Sequence, residues 1–531
     1  MPTLGEALVA GLAERGVECV FGIPGVHTIE LYRGLAASGI RHVTPRHEQG
    51  AGFMADGYAR VSGKPGVAFV ITGPGVTNTL TAMGQARADS IPILTISGVN
   101  KQSSLAQGLG HLHELPDQLG MVAKVALEAR QIRQGSDLSP ALDAVFERLT
   151  TGRKGPCHIE IPLDVARLPA ALNGPSMAAD PAPDPNLLDL AAERLTAASR
   201  PVILAGGGAI AAAETLKALA ERLDAPVVQT VNARGLMHGA ALSVPASPSL
   251  TSVRSLIEES DLVLAVGTEL GQTDYDMYAT GSMPRLPHLI RIDTCAEQLS
   301  RHPATIAIHG DAATCLAALT QRLPGGNRAS GGALRAAAAR NAAWQEIGPY
   351  MRGMVDMLDA ARDAVPGAII VGDSTQPIYA GNLYYDHDQP GGWFNAATGF
   401  GALGYAIPAS IGAAIAAPGT PVICIAGDGG AQFSLTEMMA ARDENLSIVF
   451  VIWNSHGYRE IDSAMREAEI SVVGCDPTPP DFAAIATAYG MPYSRCADTD
   501  PIAFAALLAA ATKGNGPSIV EVQAPYTPNQ N

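Results

Sequence analysis

The chain has 531 residues, too many for one hydrophobic core, so we expect two to four domains. Its formal net charge of -16 argues against nucleic acid as a partner, because contacts to phosphates require lysine and arginine. Only 16% of the residues are charged, which indicates that part of the surface is buried against other subunits.

The seven cysteines are scattered and never form a C-x-x-C pair, so neither a disulfide framework nor a zinc site is predicted. The N-terminal segment lacks the charged and then apolar layout of a signal peptide. No uninterrupted apolar run reaches the length of a membrane span. The sequence therefore predicts a protein of the reducing cytoplasm that has no membrane partner.

Short apolar runs alternate with helical patterns along the chain, which is typical of βαβ units around parallel sheets. In chain order, the predicted strands are residues 67–71, 93–97, 201–205, 262–266, 368–371, 422–426 and 448–453. Two segments rich in proline and glycine, 168–186 and 323–332, interrupt this rhythm. They divide the chain into three parallel-sheet α/β domains, predicted at 1–167, 187–323 and 333–531.

The first and third domains contain an internal repeat of strand, glycine turn, helix and strand. At an offset of 354 residues, Gly73, Gly75 and Asn100 align with Gly427, Gly429 and Asn454. We therefore expect the two domains to share one topology, although any two βαβ units have a general likeness. The centre of the turn differs, because Pro74 in the first copy is replaced by Asp428 in the second.

Asp428 lies in a glycine-rich turn of the kind that binds phosphate, where a lone carboxylate would repel the anion. Asn454 follows the next predicted strand, and the carboxyl ends of neighbouring parallel strands lie close together. A carboxylate and a carboxamide suit Mg²⁺ or Ca²⁺, and Mg²⁺ is commonly shared between protein oxygens and substrate phosphates. A divalent cation at these two residues would therefore bridge the turn to a phosphate group.

The G-D-G sequence with an asparagine after the next strand resembles the diphosphate-binding motif of thiamine diphosphate enzymes. The resemblance covers nearly the whole chain and is to the 2-oxo acid decarboxylases and acetolactate synthases. It implies a pyrimidine-binding (PYR) domain, a middle domain and a diphosphate-binding (PP) domain, in that order. It also implies that Asp428, Asn454 and the backbone carbonyl of His456 hold Mg²⁺.

The string RHEQGAGFMADGYAR at residues 46–60 resembles the family segment that carries a catalytic glutamate, here Glu48. In the family, this carboxylate contacts the aminopyrimidine ring of the cofactor. Protonation of the ring lets it remove the proton from C2 of the thiazolium. Without the resemblance, a lone glutamate is more often part of a solvated face.

Three further strings resemble cofactor-binding segments of the family: TGPGVTN at 72–78, GDSTQP at 372–377 and GFGALGYAIPASIGA at 399–413. The third resembles the family segment that bends the cofactor. Besides Glu48, the implied cofactor-binding residues are Thr72, Gly73, Pro74, Asn78, Asp373, Ser374, Thr375, Gln376, Gly401, Leu403, Gly427, Gly429, Gly430 and Tyr458. Without the family, Leu403 would be interpreted as core and GDSTQP as an ordinary strand-to-helix turn.

Three histidines are candidates for proton transfer: His27 in FGIPGVHTIEL, and His111 and His113 in GHLHELPDQ. A neutral imidazole near pH 7 can move a proton or hold a carboxylate. Each of the three is equally compatible with a structural role.

Among these families, the motifs most closely resemble the 5-guanidino-2-oxopentanoate (2-ketoarginine) decarboxylases of arginine catabolism. The implied reaction is loss of CO₂ from a 2-oxo acid to give an aldehyde, which makes the enzyme a lyase. A guanidinium tail pairs well with a carboxylate. The candidate carboxylates are Glu114, Asp117, Glu460 and Asp462; Glu460 is one place off the pyruvate decarboxylase glutamate, where Ile461 stands.

Two alternatives stay open: an acetolactate synthase-like carboligase, and a non-catalytic scaffold or regulatory relative. Acetolactate synthases bind FAD in the middle domain, but their R-F-D-D-R-like string is replaced here by TELGQ at 268–272, so FAD is not expected. The resemblance implies a homodimer, commonly paired into a homotetramer. Each cofactor would lie between Glu48 of one subunit and Asp428 of another.

Overall fold

The computed structural model describes residues 1–176, 179–276, 281–326 and 328–524. It contains three six-stranded sheets, each built from parallel pairs and accompanied by helices, so the predicted fold class is confirmed. All seven predicted strands are present, and their ends differ from the prediction by at most two residues. Among the described residues, no helix has both the length and the apolar character that a membrane crossing requires.

The first sheet has the strand order β2-β1-β3-β4-β6-β5. Its strands are β1 Cys19–Gly22, β2 Arg41–Val43, β3 Gly66–Val70, β4 Ile93–Val99, β5 Glu128–Gln131 and β6 Cys157–Pro162. The helices of this part are α1 Leu4–Glu14, α2 Ile29–Tyr32, α3 Leu35–Ser38, α4 Glu48–Ser62, α5 Pro74–Asp89, α6 Gln118–Val122 and α7 Leu138–Thr150. β3 and β4 are fully buried; β3 has no polar side chain, and the only polar side chains of β4 are the small Thr95 and Ser97.

The second sheet has the order β12-β11-β10-β7-β8-β9, which is the doubly wound dinucleotide-binding arrangement. Its strands are β7 Pro201–Ala205, β8 Val227–Gln229, β9 Ser243–Val244, β10 Leu262–Val266, β11 Ile290–Asp293 and β12 Ile306–His309. The helices are α8 Pro185–Ala197, α9 Ala213–Leu223, α10 Thr251–Glu258, α11 Gln272–Tyr275, α12 Ala296–Arg301 and α13 Ala312–Arg322.

The third sheet has the order β14-β13-β15-β16-β18-β17. Its strands are β13 Ile369–Gly372, β14 Trp393–Asn395, β15 Val422–Gly427, β16 Ile448–Asn454, β17 Tyr493–Cys496 and β18 Ser518–Gln523. The helices are α14 Gly332–Glu346, α15 Gly348–Ala364, α16 Gln376–Leu383, α17 Ala406–Ala416, α18 Asp428–Ala431, α19 Met438–Asp443, α20 Arg459–Glu467, α21 Phe482–Tyr489 and α22 Pro501–Ala511.

The first and third sheets have the same strand order, with β1 to β6 corresponding to β13 to β18. The shared topology predicted from the repeat is therefore confirmed. Pro74 is the first residue of α5 and Asp428 is the first residue of α18. Proline is favourable at the first helical position, where its missing N–H would have no helical partner. The two copies thus place different residues at the same position of the same turn.

Helix α4 of the first domain crosses α17 of the third domain at two glycines. A Cβ atom at Gly57 would lie 2.0 Å from the carbonyl oxygen of Ala409, and one at Gly412 would lie 1.9 Å from that of Met54. Because both obstacles are backbone atoms, no side-chain rotation can relieve them. These glycines set the distance between the two domains and thereby the position of Glu48, the first residue of α4.

We expect Gly57→Ala to lower the free energy of unfolding by about 1–3 kcal/mol, because the added methyl group forces the two helices apart. Gly353→Ala is the matched control, since Gly353 lies inside α15 and no atom of the described residues is within 4 Å of its hypothetical Cβ. Alanine there should stabilise the helix by up to about 1 kcal/mol. The shift in the midpoint of denaturant unfolding measures both changes. Similar shifts for the two variants would contradict the packing argument.

Candidate active site

Asp428 lies at the carboxyl end of β15 and is only 1% exposed. Its carboxylate accepts the N–H of Ser455 at 3.1 Å and the N–H of Gly457 at 2.9 Å. No lysine, arginine or histidine among the described residues forms an ion pair with it. Burial raises the pKa of Asp428, because the charged form has lost its contact with water. A cation bound at this carboxylate would offset that cost.

Asn454 lies beside Asp428 at the same edge of the sheet. In the β15–β16 pairing, Gly427 is opposite Trp453, so each of the two polar residues directly follows a paired position. Asn454 is 3% exposed; its amide donates to Glu521 at 2.7 Å, and its oxygen accepts the N–H of His456 at 3.2 Å. The predicted proximity of Asp428 and Asn454 is therefore present in the fold.

The loop after Asn454 wraps around the Asp428 carboxylate. His456 has a φ of +61°, which is uncommon for a residue with a side chain, and its own ring is exposed. Its backbone carbonyl accepts a hydrogen bond from the Arg459 guanidinium. The carbonyl predicted to bind a metal thus already contacts a cation in this structure.

The glycines of the turn leave room that a side chain would fill. A Cβ at Gly429 would lie 2.5 Å from the Tyr458 ring, and one at Gly427 would lie 3.1 Å from the Thr375 hydroxyl. A Cβ at Gly430 would lie 3.4 Å from the side chain of Asp373. The predicted cofactor-binding residues of the third domain therefore surround one turn.

Asp373 lies among these residues and supports the surrounding backbone through hydrogen bonds. It is fully buried and accepts the N–H of Ser374 at 2.8 Å and that of Gly404 at 2.9 Å. Burial raises the pKa of Asp373 to about 6. Its hydrogen bonds connect the turn after β13 to the segment that contains Gly401 and Leu403, which are exposed and half-buried respectively.

Two further side-chain hydrogen bonds hold these third-domain segments in place. Gln376 is buried at the start of α16, and its side-chain oxygen accepts from the Trp453 indole at 3.2 Å. The N–H of Ala402 donates to the Gln85 side chain on α5 at 3.2 Å. The segment predicted to bend the cofactor is therefore attached to the first domain of the same chain.

Glu48 is half-buried at the start of α4, and its carboxylate accepts a hydrogen bond from the Asn78 amide at 3.0 Å. The backbone just before it is fixed by Glu437 of the third domain, which accepts the N–H groups of Arg46 and His47 at 2.9 Å each. Burial raises the pKa of Glu437 to about 7. Glu48 is therefore held by contacts different from those that hold Asp428.

Two of the three candidate histidines come together at the first-domain turn. The rings of His27 and His113 are 5.2 Å apart, and a Cβ at Gly73 would lie 2.5 Å from the carbonyl oxygen of His113. The Nδ1 atom of His27 is buried and has no hydrogen-bond partner among the described residues, and burial together with His113 lowers the pKa of His27. His111 is exposed, and among the described residues its ring makes no contact with the rings of this pair.

Gln118 is a residue of this site that the sequence interpretation did not single out. Its side-chain oxygen accepts the N–H of Gly73 at 2.9 Å, and its amide donates to the buried Glu160 at 2.9 Å. It thereby attaches the histidine-bearing loop to the glycine turn. Ser455 and Glu437 were missed for the same reason, since each acts on a residue distant in sequence.

Three family models match the chain. They describe the N-terminal TPP-binding domain of thiamine pyrophosphate enzymes over residues 2–121, their central domain over 188–319, and their C-terminal TPP-binding domain over 373–522. The chain is 44% identical over 509 residues to the probable 2-ketoarginine decarboxylase AruI of Pseudomonas aeruginosa, covering 94% of this chain and 90% of that protein. The chain belongs to the thiamine pyrophosphate enzyme family.

Other relatives of this thiamine pyrophosphate enzyme are acetolactate synthases. The large subunit of isozyme 1 from Escherichia coli is 31% identical over 468 residues, covering 85% of this chain and 81% of that protein. The acetolactate synthase of Mycobacterium bovis is 30% identical over 525 residues, covering 92% and 83%. The resemblance stated from the sequence is confirmed, and it is stronger to the decarboxylase than to these two synthases.

The residues at the two turns fit the two ends of thiamine pyrophosphate. At the third-domain turn, Asp428 is a buried anion that no Lys, Arg or His among the described residues pairs with, which suits a divalent cation shared with a diphosphate. At the first-domain turn, the buried Thr72 hydroxyl and His27 Nδ1 have no hydrogen-bond partner in the part of the chain that the structure describes. Glu48 there offers a carboxylate that a ring nitrogen can approach. The first-domain turn therefore has buried polar groups without partners, and the third-domain turn has a buried anion without a paired cation among the described residues.

The middle domain of this thiamine pyrophosphate enzyme contains a cavity of about 470 Å³ at the carboxyl ends of β7 and β10. The glycines 206–208 and Gly267 line one side, and Arg60 and Asp89 of the first domain line another. Glu269, within the TELGQ segment, forms an ion pair with Arg153 at 2.8 Å. The cavity lies where doubly wound folds bind ligands.

Proposed function

We propose that this enzyme decarboxylates a 2-oxo acid without oxidation, releasing CO₂ and an aldehyde, and that its substrate is 5-guanidino-2-oxopentanoate. The supporting observation is the 44% identity over 94% of the chain to a protein named as a probable 2-ketoarginine decarboxylase. The two acetolactate synthases compared above are only 30–31% identical.

When bound, thiamine diphosphate supplies a carbon nucleophile and a sink for the electrons of the bond to CO₂. Asp428, Asn454 and the carbonyl of His456 would hold Mg²⁺. For the carbonyl of His456 to do so, the Arg459 guanidinium must move away from it or share it. The predicted cofactor residues around the two turns would bind the diphosphate and the pyrimidine.

The remaining roles concern protons. The Glu48 carboxylate would share a proton with the aminopyrimidine ring, held in place by Asn78. His27 and His113 would donate or accept a proton at the reacting carbon. The lowered pKa of His27 keeps it neutral near pH 7, so that it can accept one. His111 stays a sequence prediction, because its ring is on the exposed side of the loop.

We further propose a homodimer, paired into a homotetramer, with each cofactor between Glu48 of one subunit and Asp428 of another. Large apolar side chains near the third-domain turn are exposed in the single chain: Phe400 by 53%, Phe433 by 57% and Ile461 by 53%. A second subunit would cover them. We also propose domain boundaries at 1–167, 187–323 and 333–531, and no requirement for FAD. We propose a cytoplasmic location, because the seven cysteines are free thiols, as a reducing compartment would keep them.

A panel of 2-oxo acids tests the proposed reaction. With thiamine diphosphate and Mg²⁺, we expect 5-guanidino-2-oxopentanoate to give 4-guanidinobutanal and CO₂ in equal amounts, with a higher kcat/KM than pyruvate gives. Mass spectrometry and CO₂ release measure the products. Acetolactate as the main product from pyruvate would contradict the decarboxylase and favour the carboligase, which the acetolactate synthase relatives make the second candidate.

A non-catalytic scaffold is the remaining alternative from the sequence. It would not need Glu48, Asp428 and Asn454 together, and the chain retains all three. Isothermal titration with thiamine diphosphate and Mg²⁺ separates this reading from the enzyme, because a scaffold without the cofactor would give no binding heat.

A further inference from the structure

The four carboxylates considered for a guanidinium tail differ in what they already bind. Glu114 accepts the N–H of Gly108 at 3.0 Å and that of His111 at 2.9 Å, so it folds its own loop. Asp117 accepts the N–H of Gly120 at 2.8 Å and caps α6. Both carboxylates have a structural use that explains their presence.

Asp462 is compensated by cations on its own helix. It accepts a hydrogen bond from Arg466 at 3.2 Å and lies 3.9 Å from the Arg459 guanidinium. A substrate guanidinium would have to compete with these two arginines. Asp462 is therefore a poor candidate for substrate binding.

Glu460 is the exception among the four. It is half-buried, and no Arg, Lys or His among the described residues forms an ion pair with it. Its side chain contacts the Gln376 amide, and the charged neighbour that acts on it, Glu467, repels it. Burial raises the pKa of Glu460 above that of an ordinary glutamate. A carboxylate that has lost water and has no cation is costly unless a ligand supplies one.

The position of Glu460 places it beside the cofactor turn. Helix α20 begins directly after Tyr458, whose ring covers Gly429, and Glu460 is its second residue. Gln376, which contacts Glu460, follows Thr375, whose hydroxyl faces Gly427. Glu460 thus contacts one predicted cofactor-binding residue, Gln376, and follows another, Tyr458, by two positions.

We infer that the Glu460 carboxylate binds the cationic tail of the 2-oxo acid substrate and selects a guanidinium tail over a neutral tail of the same length. A planar guanidinium offers two parallel N–H groups to a carboxylate, which gives direction as well as charge. This inference rests on the proposed function, because it names the substrate class of the same site. The same geometry disfavours 2-oxo acids with an acidic tail.

The test compares two substrates of equal length, 5-guanidino-2-oxopentanoate and its neutral analogue 5-ureido-2-oxopentanoate, in the wild type and Glu460→Gln. We expect Glu460→Gln to lower kcat/KM for the guanidino substrate by about 30- to 100-fold, because a charged hydrogen-bonding partner is lost. The ureido substrate should change by less than about 3-fold. The ratio of the two kcat/KM values is independent of how much enzyme carries the cofactor.

Glu469→Gln is the matched control, since it removes the same charge from an exposed residue just beyond the end of the same helix. It should leave the ratio unchanged. An equal loss for both substrates in Glu460→Gln would overturn the inference, because it would mean a general catalytic or structural role. If Glu460→Gln does not fold, Glu460→Asp replaces it; withdrawing the carboxylate by one methylene should lower the ratio at least about tenfold, and an unchanged ratio would overturn the inference.

A different result identifies failure of the proposed function. If the wild type turns over another 2-oxo acid but not the guanidino substrate, the proposed function is wrong. Inhibition of that turnover by 5-guanidinopentanoate and by 5-ureidopentanoate then tests Glu460 alone. Stronger inhibition by the guanidino compound that disappears in Glu460→Gln supports the inference, and equal inhibition by the two compounds overturns it.

Discussion

Replacing Glu48 by glutamine is expected to lower kcat by roughly 10²- to 10⁴-fold, the usual contribution of one group in acid–base catalysis. The carboxamide has nearly the same shape and can still accept the hydrogen bond from Asn78. It cannot share a proton with the aminopyrimidine ring in the way a carboxylate can. The Kd for thiamine diphosphate should therefore change far less than kcat.

Steady-state kinetics at saturating cofactor and fluorescence titration of the cofactor measure these two quantities. Glu18→Gln is the control, because it makes the same chemical change at an exposed residue of the same domain that pairs with Lys64. It should leave kcat within about twofold of the wild type. A Glu48→Gln enzyme with near-normal kcat would contradict the role proposed for Glu48.

The fold was largely predictable because its signals are local. Buried parallel strands are continuous apolar runs, and the seven predicted strands match observed ones closely. The repeat extended the prediction to topology, since one glycine turn marks corresponding strands of two sheets. The sequence did not reveal that Gly57 and Gly412 lie at the crossing of two domains, because each contacts a helix hundreds of residues away.

The candidate site was predictable in its residue types but not in its contacts. The proximity of Asp428 and Asn454 follows from parallel-strand geometry, and the two residues follow paired positions of neighbouring strands in the structure. Asp373 stays a predicted cofactor-binding residue, and the sequence did not indicate that its oxygens accept the N–H groups of Ser374 and Gly404. Glu460 and Asp462 are indistinguishable in sequence, yet Asp462 forms ion pairs with arginines, whereas Glu460 forms none with the residues that the structure describes. Which charges are compensated depends on tertiary contacts.

Replacing Asp428 by asparagine is expected to raise the Kd for thiamine diphosphate by about 10²- to 10³-fold at a fixed Mg²⁺ concentration. The substitution removes the negative charge that would bind the metal. It also places an amide N–H₂ opposite the N–H of Ser455 or Gly457, so one of the hydrogen bonds that fold the loop is lost. Both the lost charge and the lost hydrogen bond therefore raise the Kd for the cofactor.

The dependence on Mg²⁺ separates these two effects. A turn without the carboxylate has only backbone N–H donors, which attract a diphosphate directly, so cofactor binding to Asp428→Asn should hardly respond to Mg²⁺ or to EDTA. The wild type should lose its affinity in EDTA. Asp481→Asn is the control, because Asp481 caps α21 and asparagine caps a helix equally well. If Asp428→Asn binds the cofactor weakly but with the full Mg²⁺ dependence of the wild type, the carboxylate supports the loop and the metal is held elsewhere.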